Sequence, residues 1–234
     1  NVGEERVFAP LADDSDKALE VMMTAVNASG HQDKVKLGVN VAASEFYSKE
    51  QRKYDFCGKQ AGKPLLSSEI LTNHYTRWLD KYPIVLIEDP FDQEDWEAHQ
   101  SLTQKVGKKC QIVGNDLLVT RAKRMIRMRI AKAQEDQHVC NALQLKLSQK
   151  GSVSEAIEAA QMAHKKGWGV NVSLRSGGQT EDSFIADFCV GLHAGLVKIE
   201  APSRSAAQCN QILRIEEELG PLATYAGMSF RQPQ

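Results

Sequence analysis

The chain predicts an α/β protein built on parallel strands, and three observations carry that expectation. Short runs at 35–43, 84–89, 111–116, 142–148, 169–174 and 195–200 are β-branched or Leu-rich and apolar on both faces, as helix-covered parallel strands are. Helical stretches alternate with them, at 15–29, 67–81, 95–106, 121–135, 153–166, 182–193 and 206–219. Polar residues gather where strands end: Pro83-Ile84-Val85-Leu86 runs into Glu88 and Asp89 and is broken by Pro90.

The element boundaries have local causes. Ser67 and Asp182 are placed as helix N-caps, their side-chain oxygens positioned to accept first-turn N–H groups. Gly167 and Gly220 follow helix ends, where a left-handed residue closes the last turn. No repeat, low-complexity tract or Pro/Gly/Ser linker divides the chain, so residues 1–234 are expected to form one domain. Successive β-then-α units imply right-handed crossovers and leave two architectures, a doubly wound sheet or a barrel. The chain has no GxGxxG turn of the dinucleotide-binding kind, and polar residues at the ends of several strands favour the barrel.

Composition narrows the function classes. At 234 residues and 42% apolar content the chain can bury a full core. A net charge of -1 gives no global field to recruit nucleic acid or an anionic membrane, so no nucleic-acid partner is expected. The basic stretch at 121–132 reads as the solvated face of a helix. No run of about 18 apolar residues exists, so no membrane span is expected. No signal peptide is expected from the residues that open the chain, which starts at Asn1 without an initiator Met. Five scattered cysteines without metal spacing read as reduced thiols of a cytoplasmic protein.

The segment Ile87-Glu88-Asp89-Pro90-Phe91-Asp92-Gln93-Glu94-Asp95-Trp96 resembles the IEDPFDQDDW signature of the enolase family. Similar blocks are Val41-Ala42-Ala43-Ser44-Glu45-Phe46, Gln111-Ile112-Val113-Gly114, Gly167-Trp168-Gly169-Val170, Thr180-Glu181-Asp182 and Arg214-Ile215-Glu216-Glu217-Glu218-Leu219-Gly220. The resemblance covers essentially the whole chain and implies an enolase-type TIM-like barrel. Asn1-Val2-Gly3-Glu4-Glu5 resembles the end of that barrel's second strand, so the barrel is expected to be incomplete at its N-terminal end. The opening strand and the family's small N-terminal α+β domain are not expected within these residues, and the open edge implies a longer chain or a partner.

The family reaction is the Mg²⁺-dependent dehydration of 2-phosphoglycerate to phosphoenolpyruvate in glycolysis. By resemblance, Lys146 matches the base that takes a proton next to a carboxylate, Glu5 the acid that protonates the leaving hydroxyl, and Lys198 a second lysine that offsets substrate charge. A lysine works as a base only when burial or nearby cations lower its pKa. Arg175 and Ser176 match the phosphate-binding pair, the guanidinium fork suiting phosphate geometry. Ser176 is also placed to touch a second Mg²⁺.

The departures concentrate in the same site. Glu88 matches one of three metal-binding carboxylates, but Asn40 and Asn115 stand where the family has Asp. An amide oxygen brings no charge to a hard cation. Second-shell losses alone cost roughly 10–100-fold, so two lost ligands imply a weakening of at least ~10²–10⁴-fold. Asp116 follows Asn115, but strand alternation aims it at the other face. Leu174 replaces a phosphate-contacting His, Gly178-Gln179 replaces a Glu, Glu200 replaces a Gly, and Arg6-Val7 replaces a Gly-Gly pair. A few residues are also inserted around 129–137.

Three functional readings follow. The first is an active glycolytic enolase acting on a phosphorylated three-carbon acid. The second is a barrel that kept the scaffold but lost efficient chemistry, serving as a structural or binding subunit, as a homodimer or docked to a larger assembly. The third is a changed chemistry on another hydroxy acid, which no new ligand constellation supports. Two lost metal ligands and the lost His favour the second.

Overall fold

The computed structural model describes residues 12, 14–56, 64–118, 139–173, 182–199 and 206–231. These fall into two compact units, one holding the described residues of 10–117 with 139–140, the other Leu118 and those of 141–231. Both are α/β, with parallel strands and intervening helices.

In the first unit, helix α1 (Ser15–Ala28) precedes strand β1 (Leu37–Asn40), and a small antiparallel hairpin, β2 (Tyr47–Ser48) with β3 (Lys53–Tyr54), follows. Then come α2 (Ser68–Lys81), β4 (Ile84–Glu88), α3 (Trp96–Val106) and β5 (Gln111–Gly114). The parallel strand order is β1–β4–β5. Ser67 caps α2 as expected, its hydroxyl accepting from Ile70 N–H at 3.3 Å. The buried stripe Leu71, Thr72, Tyr75 and Trp78 has helical spacing, and α2 lies against α3 and β4. Asp16 ties α1 to α2, accepting from Trp78 Nε1 at 2.6 Å and from Arg77 at 2.7 Å.

The second unit runs β6 (Ala142–Lys146), a single helical turn α4 (Leu147–Lys150), α5 (Val153–Lys165), β7 (Gly169–Ser173), α6 (Phe184–Gly191), β8 (Leu196–Lys198) and α7 (Ala206–Leu219). Its parallel order is β6–β7–β8. Helix α5 buries Ala156, Ala159, Ala160 and Ala163, a stripe of small side chains that lets it lie close on β6 and β7. Gly167, at φ 72°, and Gly220, at φ 52°, end their helices in the left-handed region as expected. Gly195 admits a close backbone approach: a Cβ there would sit 1.7 Å from the Phe230 carbonyl oxygen.

Several boundaries move from the expected ones. The run at 35–43 becomes a strand only over Leu37–Asn40, because Ala42 turns left-handed (φ 48°) into a 3₁₀ segment at Ala43–Phe46. The strand expected over 142–148 stops at Lys146, where α4 begins. The helix expected from Asp182 starts at Phe184 with Ser183 as its N-cap; the Asp182 carboxylate instead accepts from Phe184 N–H at 2.9 Å. The helix at 121–135 and the insertion at 129–137 lie outside the described residues. No helix among the described residues is long and apolar enough to cross a membrane. Cys110, Cys140, Cys189 and Cys209 are free thiols; burial pushes Cys189 up to about 11.

Candidate functional site

In the first unit the site residues stand in register. Asn40 pairs with Glu88 and Glu88 with Val113, so the three share one face of the sheet. Asn115 follows the end of β5 at Gly114, two residues beyond Val113. Glu88 and Asn115 are buried, and Asn115 Oδ1 has no hydrogen-bond partner among the described residues.

Asp89 holds these ends together, a role the sequence did not reveal. Its backbone is left-handed (φ 44°), a conformation that costs a non-glycine residue energy and persists only where surroundings enforce it. Here they do. Asp89 N–H donates to the Val113 carbonyl at 3.0 Å, and its own carbonyl accepts from Ala43 N–H at 3.2 Å. The carboxylate accepts from the Asn115 N–H at 2.9 Å and, with both oxygens, from the Asp116 N–H at 3.1 and 3.0 Å. Burial pushes the Asp89 carboxyl up to about 6; the two N–H groups pull it down, and the carboxylates of Asp116 and Glu88 push it further up.

The rest of the signature is anchored behind this turn. Asp95 caps α3, accepting from Ala98 N–H at 3.3 Å, from the Tyr54 hydroxyl at 2.8 Å and from Ser68 Oγ at 2.7 Å. Tyr54 in turn accepts from Asp92 N–H at 3.0 Å, and Tyr75 donates to the Pro90 carbonyl at 2.7 Å. Phe91 is buried among the rings of Tyr54, Tyr75 and His99, with centroids 6.2, 5.7 and 5.4 Å away. Burial pushes His99 down to about 4, and its Nδ1 lies 3.0 Å from the Asp95 carbonyl oxygen. Burial also raises the Tyr54 and Tyr75 hydroxyls, which therefore stay neutral donors.

In the second unit, register aligns Lys146 with Ser173 and Ser173 with Lys198, a row across the carboxyl ends of three strands. One row deeper, Gln144 pairs with Asn171 and Asn171 with Leu196. Gln144, Asn171 and Ser173 are buried. The alternate positions Leu143, Leu145, Val170 and Val172 form the opposite, apolar face. Gln144 was hidden in a run that reads as apolar on both faces. The expected Glu5, Arg175 and Ser176 lie outside the described residues, as do Leu174 and Glu200.

The family model described as "Enolase, C-terminal TIM barrel domain" matches residues 1–234. The chain belongs to the enolase family. It is 50% identical over 238 aligned positions to "Enolase" of Solanum lycopersicum and to "Enolase" of Eimeria tenella, and 49% identical to "Enolase 2" of Hevea brasiliensis. Each alignment covers all of this chain and 52% of the relative, so the chain spans about half the length of these curated relatives. The α/β architecture with parallel strands accords with the enolase-type barrel expected from the sequence.

Enolases imply magnesium, and the described residues test the fit. The positions Asn40, Glu88 and Asn115 supply one carboxylate and two amides, and no three His, Cys, Asp or Glu among the described residues are grouped to hold a metal. These positions bring one carboxylate to a hard cation, and their amide oxygens add no charge.

Proposed function

We propose that this enolase-family chain is a binding module whose dehydration chemistry is impaired. The observation that carries the reading is that Asn40, paired with Glu88, and Asn115 stand where the family reaction calls for carboxylates, which leaves Glu88 as the one anionic donor of the three. The Lys146–Ser173–Lys198 row supports retained affinity for an acid, since two ammonium groups flank a buried hydroxyl. In this reading the chain works in the cytoplasm, as a homodimer or docked on a larger assembly.

A second reading, an active glycolytic enolase, is favoured by that same lysine row. Lys146 would remove a proton next to the substrate carboxylate, Lys198 would offset the charge that develops, and Glu5 would protonate the departing hydroxyl. Arg175 and Ser176 would hold the phosphate.

Calorimetric titration with Mg²⁺, with and without 2-phosphoglycerate, separates the two. No heat up to millimolar Mg²⁺ is expected, and tight binding strengthened by 2-phosphoglycerate would establish the second reading instead. The double substitution Asn40→Asp with Asn115→Asp should raise Mg²⁺ affinity at least ~10-fold, on the scale of metal-site substitutions. An unchanged affinity would mean that these positions do not face the metal.

A further inference from the structure

Two histidines stand at the other edge of the second unit, away from the strand ends described above. Strands β6, β7 and β8 are parallel, and helices α5 and α6 each end just before the next strand begins. Both helices pack on β7, so their C-terminal ends lie at the amino edge of the sheet, opposite the lysine row. His164 is in the last turn of α5, and His193 is two residues beyond Gly191, the last of α6. The chain after His164 reverses at Gly167 (φ 72°); His193 is itself left-handed (φ 51°), its N–H donating to the Val190 carbonyl at 3.0 Å. The partial negative charge of both helix ends favours a cation here.

The two rings are within electrostatic reach of each other. Burial holds His164 below the ordinary imidazole value, and the charge of His193 lowers it further, so His164 is neutral at pH 7. Its Nε2 is buried and has no hydrogen-bond partner among the described residues, an uncommon state for a buried ring nitrogen. His193 is exposed. A neutral imidazole with an unclaimed nitrogen, near a second ring open to solvent, supplies two donors of the kind that borderline transition metals take. Cys189, four residues before His193, is held otherwise. Its thiol donates to the Ala194 carbonyl at 3.9 Å, and burial pushes it up to about 11, away from the thiolate that binds metal. No third His, Cys, Asp or Glu joins the pair among the described residues, which leaves the other coordination positions to water.

We propose that His164 and His193 form a two-nitrogen site for a borderline divalent transition metal of the Cu²⁺ or Zn²⁺ class. Imidazole donors bind Cu²⁺ more tightly than Zn²⁺ and reject Mg²⁺, which takes hard oxygens. The test is calorimetric titration of the untagged full chain with Zn²⁺ and separately with Cu²⁺, with the histidine ring resonances followed through the Zn²⁺ series. The His164 and His193 rings should shift together with one equivalent of Zn²⁺, and millimolar Mg²⁺ should leave them in place. His193→Asn keeps a residue that tolerates the left-handed turn. It should weaken Zn²⁺ binding at least ~10-fold with unchanged circular dichroism, and His164→Gln should do the same. No binding of either metal at submillimolar concentration, or binding that moves only one of the two rings or other histidines instead, overturns the site even if a variant does not fold. Equal affinity in either folded variant overturns it as well. None of these outcomes depends on the Mg²⁺ titration, so this site and the impaired-chemistry reading fail separately.

Discussion

The strand ends of the two units differ in how far side chains lace them. In the first, the turns after β4 and β5 are laced by side chains: Asp89 holds the backbone of 115 and 116, Asp95 collects Tyr54, Ser68 and its own helix, and Tyr75 holds Pro90. In the second, buried polar atoms at Gln144 and Ser173 stand without partners among the described residues, as Asn115 Oδ1 does in the first. A satisfied network rigidifies, whereas unsatisfied buried donors are tolerated where a ligand or water completes them. The difference teaches that the first strand-end set is held in place by side-chain hydrogen bonds from distant parts of the chain.

The largest effect should come from the aromatic anchor. Phe91→Ala removes the ring between Tyr54, Tyr75 and His99 and should lower stability by about 3–5 kcal/mol in urea unfolding. A loss below ~1 kcal/mol would mean that the turn does not depend on this cluster. Next is acid sensitivity through His99. Its folded value of about 4 lies below the ordinary 6.5, so the unfolded chain binds the extra proton. Its contribution is therefore complete above about 6.5 and lost as pH falls to about 4, by roughly 3 kcal/mol in all. Urea midpoints measured from pH 7 to 4 should fall for the parent and less steeply for His99→Gln; parallel curves would exclude His99 as the source. Smaller again is Ala160→Leu, which overpacks the alanine stripe of α5 and should cost about 1–3 kcal/mol. A neutral result there would show that the second unit has room the first lacks.

Much of this was legible in the sequence because its causes are local. Runs of apolar residues gave the strands, Ser67 and the glycines at 167 and 220 gave helix boundaries, and the Glu88–Trp96 signature gave the family. What escaped depends on contacts distant along the chain. Asp89 reads as one more acid at a strand end, and only the approach of residues 115 and 116 makes it a clasp. The strand at 35–43 was overdrawn because Ala42 takes a left-handed backbone that no glycine announces. The β2–β3 hairpin is too short for any periodicity to register. Gln144 lay inside an apolar run, and its significance appears only when register sets it beside Asn171 and beneath Ser173.

The Asp89 clasp has a consequence for descent. It grips the peptide N–H of residue 115 and leaves that residue's side chain alone. Backbone placement and side-chain charge are therefore inherited separately at this position: Asp and Asn, nearly identical in size, can replace each other without redrawing the loop. A lineage can exchange carboxylate and amide here one codon at a time while the fold stays under its own selection.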